Sequence, residues 1–245
     1  MKTTQNYSPN FDIKKRKPKE IKFIIFHYTG MKKESEAINR LTDPYSKVSS
    51  HYLVKNNGEI VALVPDLYVA WHAGISSWKK INSLNKNSIG IEICNPGHNI
   101  NYKKFSKKQI RSILKLSKFL IKNYKINKKN ILGHSDIAPN RKKDPGEKFP
   151  WEYLAKFGIG KWHSLSNKTL KKKRMKMVET EDKKKFYYNL LKIGYSLKSS
   201  KKIKKDKFLN LTINAFQRRF RQELINGKID EECLLISQNL VKKLN

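Results

Sequence analysis

The sequence is organised around residues 133–151, which read GHSDIAPNRKKDPGEKFPW. This stretch carries an imidazole, a lysine and a carboxylate between two turns that contain proline, and a loop so dense in reactive groups is rarely a simple connector. Proline stiffens the backbone, so His134 and Asp144 can be held at a fixed separation although they lie ten positions apart, as a metal site requires. The stretch therefore predicts two ligands of one metal ion.

A third ligand has to come from elsewhere in the chain. Residues 21–27 read IKFIIFH, a short apolar run typical of a buried strand that delivers His27 to the edge of a sheet. Zinc in hydrolases is commonly held by two histidines and a carboxylate, with water in the fourth position. His27, His134 and Asp144 supply that set, although an isolated histidine is more often a packed or hydrogen-bonded residue than a ligand.

The composition is that of a folded chain with a strongly positive surface. With 245 residues, of which 38% are hydrophobic, the chain can bury a sizeable core in one or two domains. The 54 Lys and Arg against 20 Asp and Glu give a net charge of +34, which predicts attraction to polyanions such as nucleic acids or anionic cell-wall polymers. Because both halves of the chain carry the excess, and no basic tail does, we predict no specific nucleic-acid partner.

The cysteines and the N-terminus bear on the compartment. Cys94 and Cys233 cannot make a disulfide framework and match no cysteine zinc motif, so both are expected to be small buried side chains. The sequence has no run of 18 apolar residues, which excludes a transmembrane helix, and residues 1–22 contain no apolar signal-peptide core. As written, the sequence predicts a cytoplasmic protein; the periplasm or cell envelope is the alternative if a leader was removed.

Local patterns predict an α/β fold with a mixed central sheet flanked by helices. Residues 50–55 and 59–64 are strand-like and are joined by Asn-Asn-Gly, which predicts an antiparallel hairpin. Residues 106–124 predict a helix that begins with a capping box and presents an apolar stripe to the core. Strands and helices alternate elsewhere, and residues 7–18 read as an extended arm.

Beyond this first domain, which we assign to residues 1–162, the pattern changes. Residues 163–185 are basic and poor in apolar side chains, so we predict a linker. Three helical stripes follow within residues 186–245, the last of them behind Asp230 as an N-cap, and they predict a small three-helix bundle.

One carboxylate interrupts an otherwise apolar strand. Residues 88–94 read SIGIEIC, and glutamate is costly inside such a run, so Glu92 points either to solvent or to a polar site that uses it.

Four motifs together resemble the zinc-dependent N-acetylmuramoyl-L-alanine amidase family, type 2, over about residues 7–160. They are His27-Tyr28-Thr29, NSIGIE at 87–92, GHSD at 133–136, and APNRKKDPG at 138–146 followed by FPW at 149–151. The helices of residues 186–244 resemble the small peptidoglycan-binding domain found in the periplasmic-lipoprotein branch of that family.

The resemblance implies a role for individual residues. His27, His134 and Asp144 match the ligands of one Zn²⁺ per chain, Glu92 matches the catalytic glutamate, and Lys142 matches a lysine near the developing oxyanion. The reaction implied is hydrolysis of the amide between N-acetylmuramic acid and the L-alanine of the stem peptide. Peptidoglycan or its soluble anhydro fragments are the implied partners, and the sequence leaves open which of the two is cut.

Four further residues are candidate substrate contacts. His72 and Trp71 lie together in a turn, where they contact sugar or peptide or else only stabilise the turn. Asn87, just before the Glu92 strand, is expected to bond substrate amides, and Tyr28 lines the groove or packs beside the strand. Relatives of this fold that bind peptidoglycan without cutting it have typically lost a zinc ligand; none is lost here, which favours an enzyme.

Overall fold

The structure, a computed structural model, describes residues 2–198 and 203–244. The strands are β1 Thr4–Gln5, β2 Phe11–Asp12, β3 Phe23–Phe26, β4 Tyr52–Val54, β5 Ile60–Ala62, β6 Val69–Ala70, β7 Ser77–Trp78, β8 Ile81–Asn82, β9 Ser88–Ile93 and β10 Ile131–Gly133. The α-helices are α1 Glu34–Thr42, α2 Lys107–Tyr124, α3 His134–Ile137, α4 Trp151–Lys156, α5 Asn167–Lys173, α6 Thr180–Ile193, α7 Lys205–Phe220 and α8 Glu231–Lys242.

The central sheet is mixed, as predicted. Its strand order is β1-β5-β4-β9-β3-β10, and the pairs of β3 with β9 and β10 are parallel, whereas the predicted hairpin of β4 and β5 is antiparallel. In this register Phe26 pairs with both Gly133 and Ile91. The carboxyl ends of three strands therefore meet at one edge of the sheet, and His27, Glu92 and His134 are the next residue along each.

The two faces of the sheet are covered by different parts of the chain. Side chains alternate along β3, so Ile24 and Phe26 face the core under α2, while Phe23 and Ile25 face the C-terminal helices. Helix α2 begins with the predicted capping box, in which the Ser106 hydroxyl accepts from the amide of Gln109 at 3.1 Å.

The N-terminal arm is more ordered than the sequence predicted. β1 adds to the edge of the sheet beside β5, and β2 pairs with β6. Arg16 is buried and donates hydrogen bonds of 2.8 Å to the carbonyls of Ser88 and Asp66. The cost of burying this guanidinium is offset by these backbone acceptors.

The linker at residues 163–185 remains a prediction as a boundary between domains, and the structure gives this segment helical elements. It contains α5 and the first turn and a half of α6, and its Leu170 side chain is buried. Arg174 donates hydrogen bonds of 2.7 and 2.8 Å to the Glu232 carboxylate. Apolar contacts and ion pairs therefore hold this basic segment against α8.

The three helices predicted for residues 186–245 are present as α6, α7 and α8. Asp230 caps α8 as predicted, accepting from the Cys233 amide at 3.0 Å. The core of these helices is continuous with that of the sheet, because Phe216 and Leu190 share one apolar cluster with Phe23 and Ile25. The C-terminal helices thus cover a face that would otherwise be open to water.

Within the described residues, no helix combines the length and the apolar character needed to cross a bilayer. Cys94 and Cys233 are both buried free thiols, as expected.

Candidate metal centre

The edge where three strands end brings together the three predicted ligands. The Nδ1 atoms of His27 and His134 lie 2.9 Å apart, and each lies 3.0 Å from Oδ2 of Asp144. All three side chains are buried. A tetrahedral zinc with bonds of about 2.0–2.2 Å separates its ligand atoms by roughly 3.3 Å, so this spacing fits a metal of that size.

The ring of His27 is oriented by a chain of hydrogen bonds behind it. Its Nε2 lies 3.0 Å from Nδ1 of His72, whose Nε2 lies 3.2 Å from the Ser88 hydroxyl, and that hydroxyl donates to the carbonyl of Leu84 at 2.7 Å. Because the last bond fixes the hydroxyl proton, the chain is satisfied when both rings carry their proton on Nε2. The Nδ1 lone pair of His27 is then free to bind a metal.

His134 is held in the same sense. Its Nε2 lies 3.1 Å from the carbonyl oxygen of Ala73, an acceptor that favours the ring proton on Nε2, and 3.3 Å from the more distant Nη2 of Arg141. The amide of Ser135 donates to the Asp144 carbonyl at 2.8 Å, which ties the two ligand-bearing segments together. Both imidazoles therefore direct a lone pair at one point beside the Asp144 carboxylate, the donor set that zinc prefers.

Electrostatics keep the ligands in the forms that bind metal. Burial, with a contribution from the neighbouring His134, lowers the pKa of His27 to about 4, so the imidazole is neutral at pH 7. Burial alone would raise the pKa of Asp144, but His134 and His27 hold it well below its usual range, so the carboxylate is ionised. Neutral imidazole and ionised carboxylate are the ligating species.

The ligands open onto a cavity of about 360 Å³. Glu92 lines it together with His134 and Asp144, and the Oε2 atom of Glu92 is buried with no hydrogen-bond partner among the described residues. Burial, together with the charge of Asp144, raises the pKa of Glu92 to about 8 against the opposing effect of Lys142. A buried carboxylate oxygen without a partner is rare in a structural role and marks a group that meets a ligand or a water.

Three other predicted residues line the same cavity: Lys142, Tyr28 and His72. Lys142 is half-buried and lies two residues before the Asp144 ligand. The Tyr28 hydroxyl lies 2.8 Å from Nδ1 of His98, whose Nε2 lies 2.9 Å from the Glu147 carboxylate, so the tyrosine ring has a fixed place in the wall.

Comparison with known proteins identifies the family. Residues 17–147, more than half of the chain, match the family described as N-acetylmuramoyl-L-alanine amidase. The chain belongs to the N-acetylmuramoyl-L-alanine amidase family. The hydrolase class predicted from the sequence is thereby confirmed.

Individual amidases resemble the chain over most of its length. It is 37% identical to the N-acetylmuramoyl-L-alanine amidase AmiD of Escherichia coli over 235 residues, which cover 91% of this chain and 83% of AmiD. It is 35% identical to the 1,6-anhydro-N-acetylmuramyl-L-alanine amidase AmpD of Haemophilus influenzae over 170 residues, 62% of this chain and 90% of AmpD. A solved complex of E. coli AmiD with the substrate anhydro-N-acetylmuramic acid-L-Ala-D-γ-Glu-L-Lys superposes with a TM-score of 0.79 at 36% identity, covering 91% of this chain and 90% of that one.

Other predicted substrate contacts lie away from the open cavity of this amidase fold. Trp71 does not line it, and its indole nitrogen donates to Asp12 at 2.8 Å. Asn87 precedes β9, at the opposite end of that strand from Glu92, and donates to the Glu20 carbonyl at 3.1 Å. Proximity in the sequence suggested both, but the direction of β9 separates Asn87 from the site by the length of the strand.

His72 lines the cavity, but most of its ring is buried behind His27. It is 6% exposed, and its two ring nitrogens are engaged by His27 and Ser88, so it orients a ligand and has little surface left for substrate. Gly90 makes room for it, because a Cβ atom there would lie 2.4 Å from the His72 ring. A glycine inside a strand is a sequence signal for such a close approach.

Residues of the C-terminal helices hold the loop that carries His134 and Asp144, and the sequence did not indicate these contacts. We call this set of contacts the clamp. Asp136 in α3 receives hydrogen bonds from Arg219 at 2.5 Å and from the Tyr195 hydroxyl at 2.6 Å. Gln222 donates to the Phe149 carbonyl at 2.7 Å. These partners lie 59 to 83 residues away in the chain, and no local pattern links them.

Proposed function

We propose that the protein is a zinc-dependent amidase that hydrolyses the bond between N-acetylmuramic acid, or its 1,6-anhydro form, and the L-alanine of the stem peptide. The observation that carries this proposal is the convergence of three ligand atoms. Nδ1 of His27, Nδ1 of His134 and Oδ2 of Asp144 lie within 3.0 Å of one another, beside the carboxylate oxygen of Glu92 that has no partner among the described residues. Family membership supports the reaction class, and the donor set supports the metal.

His27, His134 and Asp144 would hold the zinc. When bound, zinc supplies a Lewis acid that polarises the amide carbonyl and lowers the pKa of a water molecule from ~15.7 toward ~7. The supporting contacts of His72, Ser88 and the Ala73 carbonyl keep both imidazole lone pairs directed at the same point.

Glu92 is proposed as the general base and then the general acid. An amide has a poor leaving group, so the proton taken from the attacking water has to be returned to the departing amine. A carboxyl group with a pKa of about 8 can both accept and release that proton near neutral pH. Its free Oε2 is the atom available for the transfer.

Lys142 is proposed to stabilise the oxygen on which negative charge develops. Its ammonium belongs to the same cavity as Glu92 and lowers the pKa of that group, so the two lie within electrostatic reach of each other. A fixed cation in a partly dry site favours the charged transition state over the neutral amide.

The substrate class is inferred from relatives. AmiD is described in complex with an anhydro-muramyl tripeptide, and AmpD is named for the 1,6-anhydro sugar. We therefore propose soluble anhydro-muropeptides as substrates in peptidoglycan recycling. Intact wall is the alternative, and a parallel assay on purified sacculi separates the two.

The test combines metal analysis with product release. Purified protein is expected to contain about one zinc per chain and to release L-Ala-D-γ-Glu-L-Lys from the anhydro-muramyl tripeptide. Glu92→Ala is expected to keep its zinc and to lose roughly 10²- to 10⁴-fold in turnover, the range of general acid–base catalysis. Glu152→Ala, on the exposed face of α4, is the matched control.

Full turnover of Glu92→Ala with normal metal content would remove Glu92 from the mechanism. Release of peptide by a zinc-free protein would contradict the metal assignment.

A further inference from the structure

Helix α7 and the loop at residues 139–143 enclose a second groove of about 410 Å³ next to the metal centre. It is lined by Pro139, Asn140, Arg141, Lys142, Lys143, Leu211, Asn214, Arg218 and Ile225. Arg141, Lys142 and Lys143 also line the cavity that holds Glu92, so the two spaces share a wall. Four of the lining residues are cationic and none is acidic.

Arg218 is the unusual residue of this groove. Arg218 is only 8% exposed, and its Nε is buried with no hydrogen-bond partner among the described residues. The Glu147 carboxylate lies 3.9 Å from that Nε, beyond hydrogen-bond distance, and is engaged by His98 at 2.9 Å. A guanidinium removed from water without a matching acceptor is costly unless something else supplies one.

The neighbouring arginines underline the difference. Arg219 is paired with Asp136 at 2.5 Å, and Arg221 is paired with Asp230, each through hydrogen bonds within the protein. Burial lowers the pKa of Arg218, which reflects the desolvation that such pairing would offset. The Nε of Arg219 also lacks a partner, but Arg218 is the one of these three arginines whose side chain makes no hydrogen bond at all among the described residues.

The remaining cations of the groove differ in whether their side chains are already hydrogen-bonded within the protein. Arg141 is committed to the backbone, since its Nε and Nη2 donate to the Ile75 carbonyl at 3.0 and 2.8 Å. Lys143 is exposed. Arg218 and Lys143 are thus available to an anion that enters beside Lys142.

We propose that this groove is a subsite for carboxylate groups of the stem peptide and that Arg218 binds them. The inference rests on the proposed amidase function. Guanidinium and carboxylate are matched in geometry and charge. In L-Ala-D-γ-Glu-L-Lys the γ-linkage leaves the α-carboxylate of glutamate free, and the terminal lysine carries a second carboxylate, so the peptide offers two anions on the side of the scissile bond that leaves as amine.

A direct test uses the zinc-loaded wild-type protein and needs no variant. The peptide L-Ala-D-γ-Glu-L-Lys is titrated by calorimetry beside the same peptide with both carboxylates amidated. The free acid is expected to bind roughly tenfold or more tightly, the usual effect of a hydrogen bond between charged groups. Equal affinity of the two peptides would overturn the proposal.

Variants then assign the effect to one residue. In Arg218→Gln the preference for the free acid is expected to fall several-fold, with the loss appearing mainly as a higher KM for the anhydro-muramyl tripeptide, because the contact is made in both ground and transition states. Arg218→Lys is expected to recover part of the preference. Arg111→Gln, which removes a charge from the exposed side of α2, is the matched control.

Two outcomes separate this inference from the proposed function. If the protein cleaves the substrate but Arg218→Gln keeps the full preference for the free acid, Lys142 or the metal recognises the carboxylate and the subsite assignment is wrong. If the peptide binds with the Arg218-dependent preference but no cleavage occurs, the amidase proposal fails and the subsite stands.

Discussion

Glu92 lies in β9 between Ile91 and Ile93, which face the core on the other side of the sheet. Because side chains alternate along a strand, this carboxylate lies on the opposite face from both isoleucines. Its Oε2 has no hydrogen-bond partner among the described residues. Its pKa of about 8 is the consequence, since ionisation in a buried place near Asp144 is unfavourable. Such a residue is kept at a cost to stability.

That cost predicts a pH dependence for the metal-free protein. The pKa of Glu92 rises from an ordinary 4.5 in the unfolded chain to about 8 in the folded one. Its contribution to stability is therefore complete below about pH 4.5 and is lost as the pH rises toward about 8. Glu92→Gln should remove this loss, so its melting temperature should exceed that of the wild type by several degrees at pH 8 and approach it at pH 5.

The measurement is thermal unfolding in chelator across that pH range. A constant difference between the two proteins at every pH would mean that Glu92 does not titrate as a buried group.

Lys142 gives a second prediction at this scale. Lys142→Met removes the ammonium while keeping most of the side-chain length, so kcat should fall roughly 10²- to 10³-fold, as for loss of one oxyanion donor. Zinc content should stay at wild-type level, because the three ligands are untouched. Lys156→Met, on the exposed face of α4, serves as control for kcat, and an equal fall in both variants would point to a general loss of charge instead.

At the scale of elements, the short helix α3 depends on the C-terminal helices. It begins at His134, and its Asp136 accepts from the Gly133 amide at 2.8 Å as well as from Tyr195 and Arg219. Arg219 also lies over the Trp151 ring, with 4.2 Å between the guanidinium carbon and the ring centroid. One arginine thus fixes both ends of the loop that carries two ligands.

We predict that Arg219→Met weakens both the fold and the metal site. Leaving Asp136 buried without its partner costs about 3–5 kcal/mol in similar buried pairs. The melting temperature should fall markedly, and the zinc dissociation constant, measured by competition with a chelating dye, should rise because His134 is less well held.

The double variant Asp136→Asn/Arg219→Met is the control for this pair. It removes both charges and should recover part of the lost stability. If Arg219→Met keeps wild-type zinc affinity despite a lower melting temperature, the clamp stabilises the fold without supporting the ligand.

At the scale of the whole molecule, the C-terminal helices pack on the face of the sheet opposite to α2. Phe23 and Ile25 of β3 and Leu132 of β10 share one apolar cluster with Phe216 of α7. Trp78 and Tyr195 pack edge to face with ring centroids 4.9 Å apart. The division into residues 1–162 and 186–245 remains a prediction, and these contacts provide its test.

A variant that ends at residue 162 should expose this apolar face. We expect it to bind a hydrophobic dye, to aggregate and to unfold at a lower temperature than the full chain, because burial of apolar area is worth about 25 cal/mol per Å². Retention of the full melting temperature by the shorter variant would establish the two parts as independent domains.

Much of the site was predictable because it depends on local rules. An apolar run that ends in His27, a glutamate alone in an apolar strand, and a proline-stiffened loop with His134 and Asp144 each carry their signal within a few residues. The hairpin and the caps at Ser106 and Asp230 were predictable for the same reason, since turn and cap chemistry is decided by adjacent residues.

The contacts that the sequence did not indicate share the opposite cause. Asn87 is five residues from Glu92, yet the strand between them carries it to the far edge of the sheet. Arg174 lay in a segment whose composition indicated a linker, but its partner Glu232 is 58 residues away. Composition averages over a window, whereas the position of this segment is set by a few specific contacts with distant residues.

The sequence by itself determined the family of this protein and supplied the candidate ligands, the lone carboxylate and the strands that end beside them. Tertiary structure alone decided which side chains share a space with these groups. His72 became the support of a ligand, and Arg218 and Arg219 came to the metal loop from a helix more than 70 residues beyond it. The physical reason is that burial and pairing are set by distance in space, which periodicity along the chain does not encode.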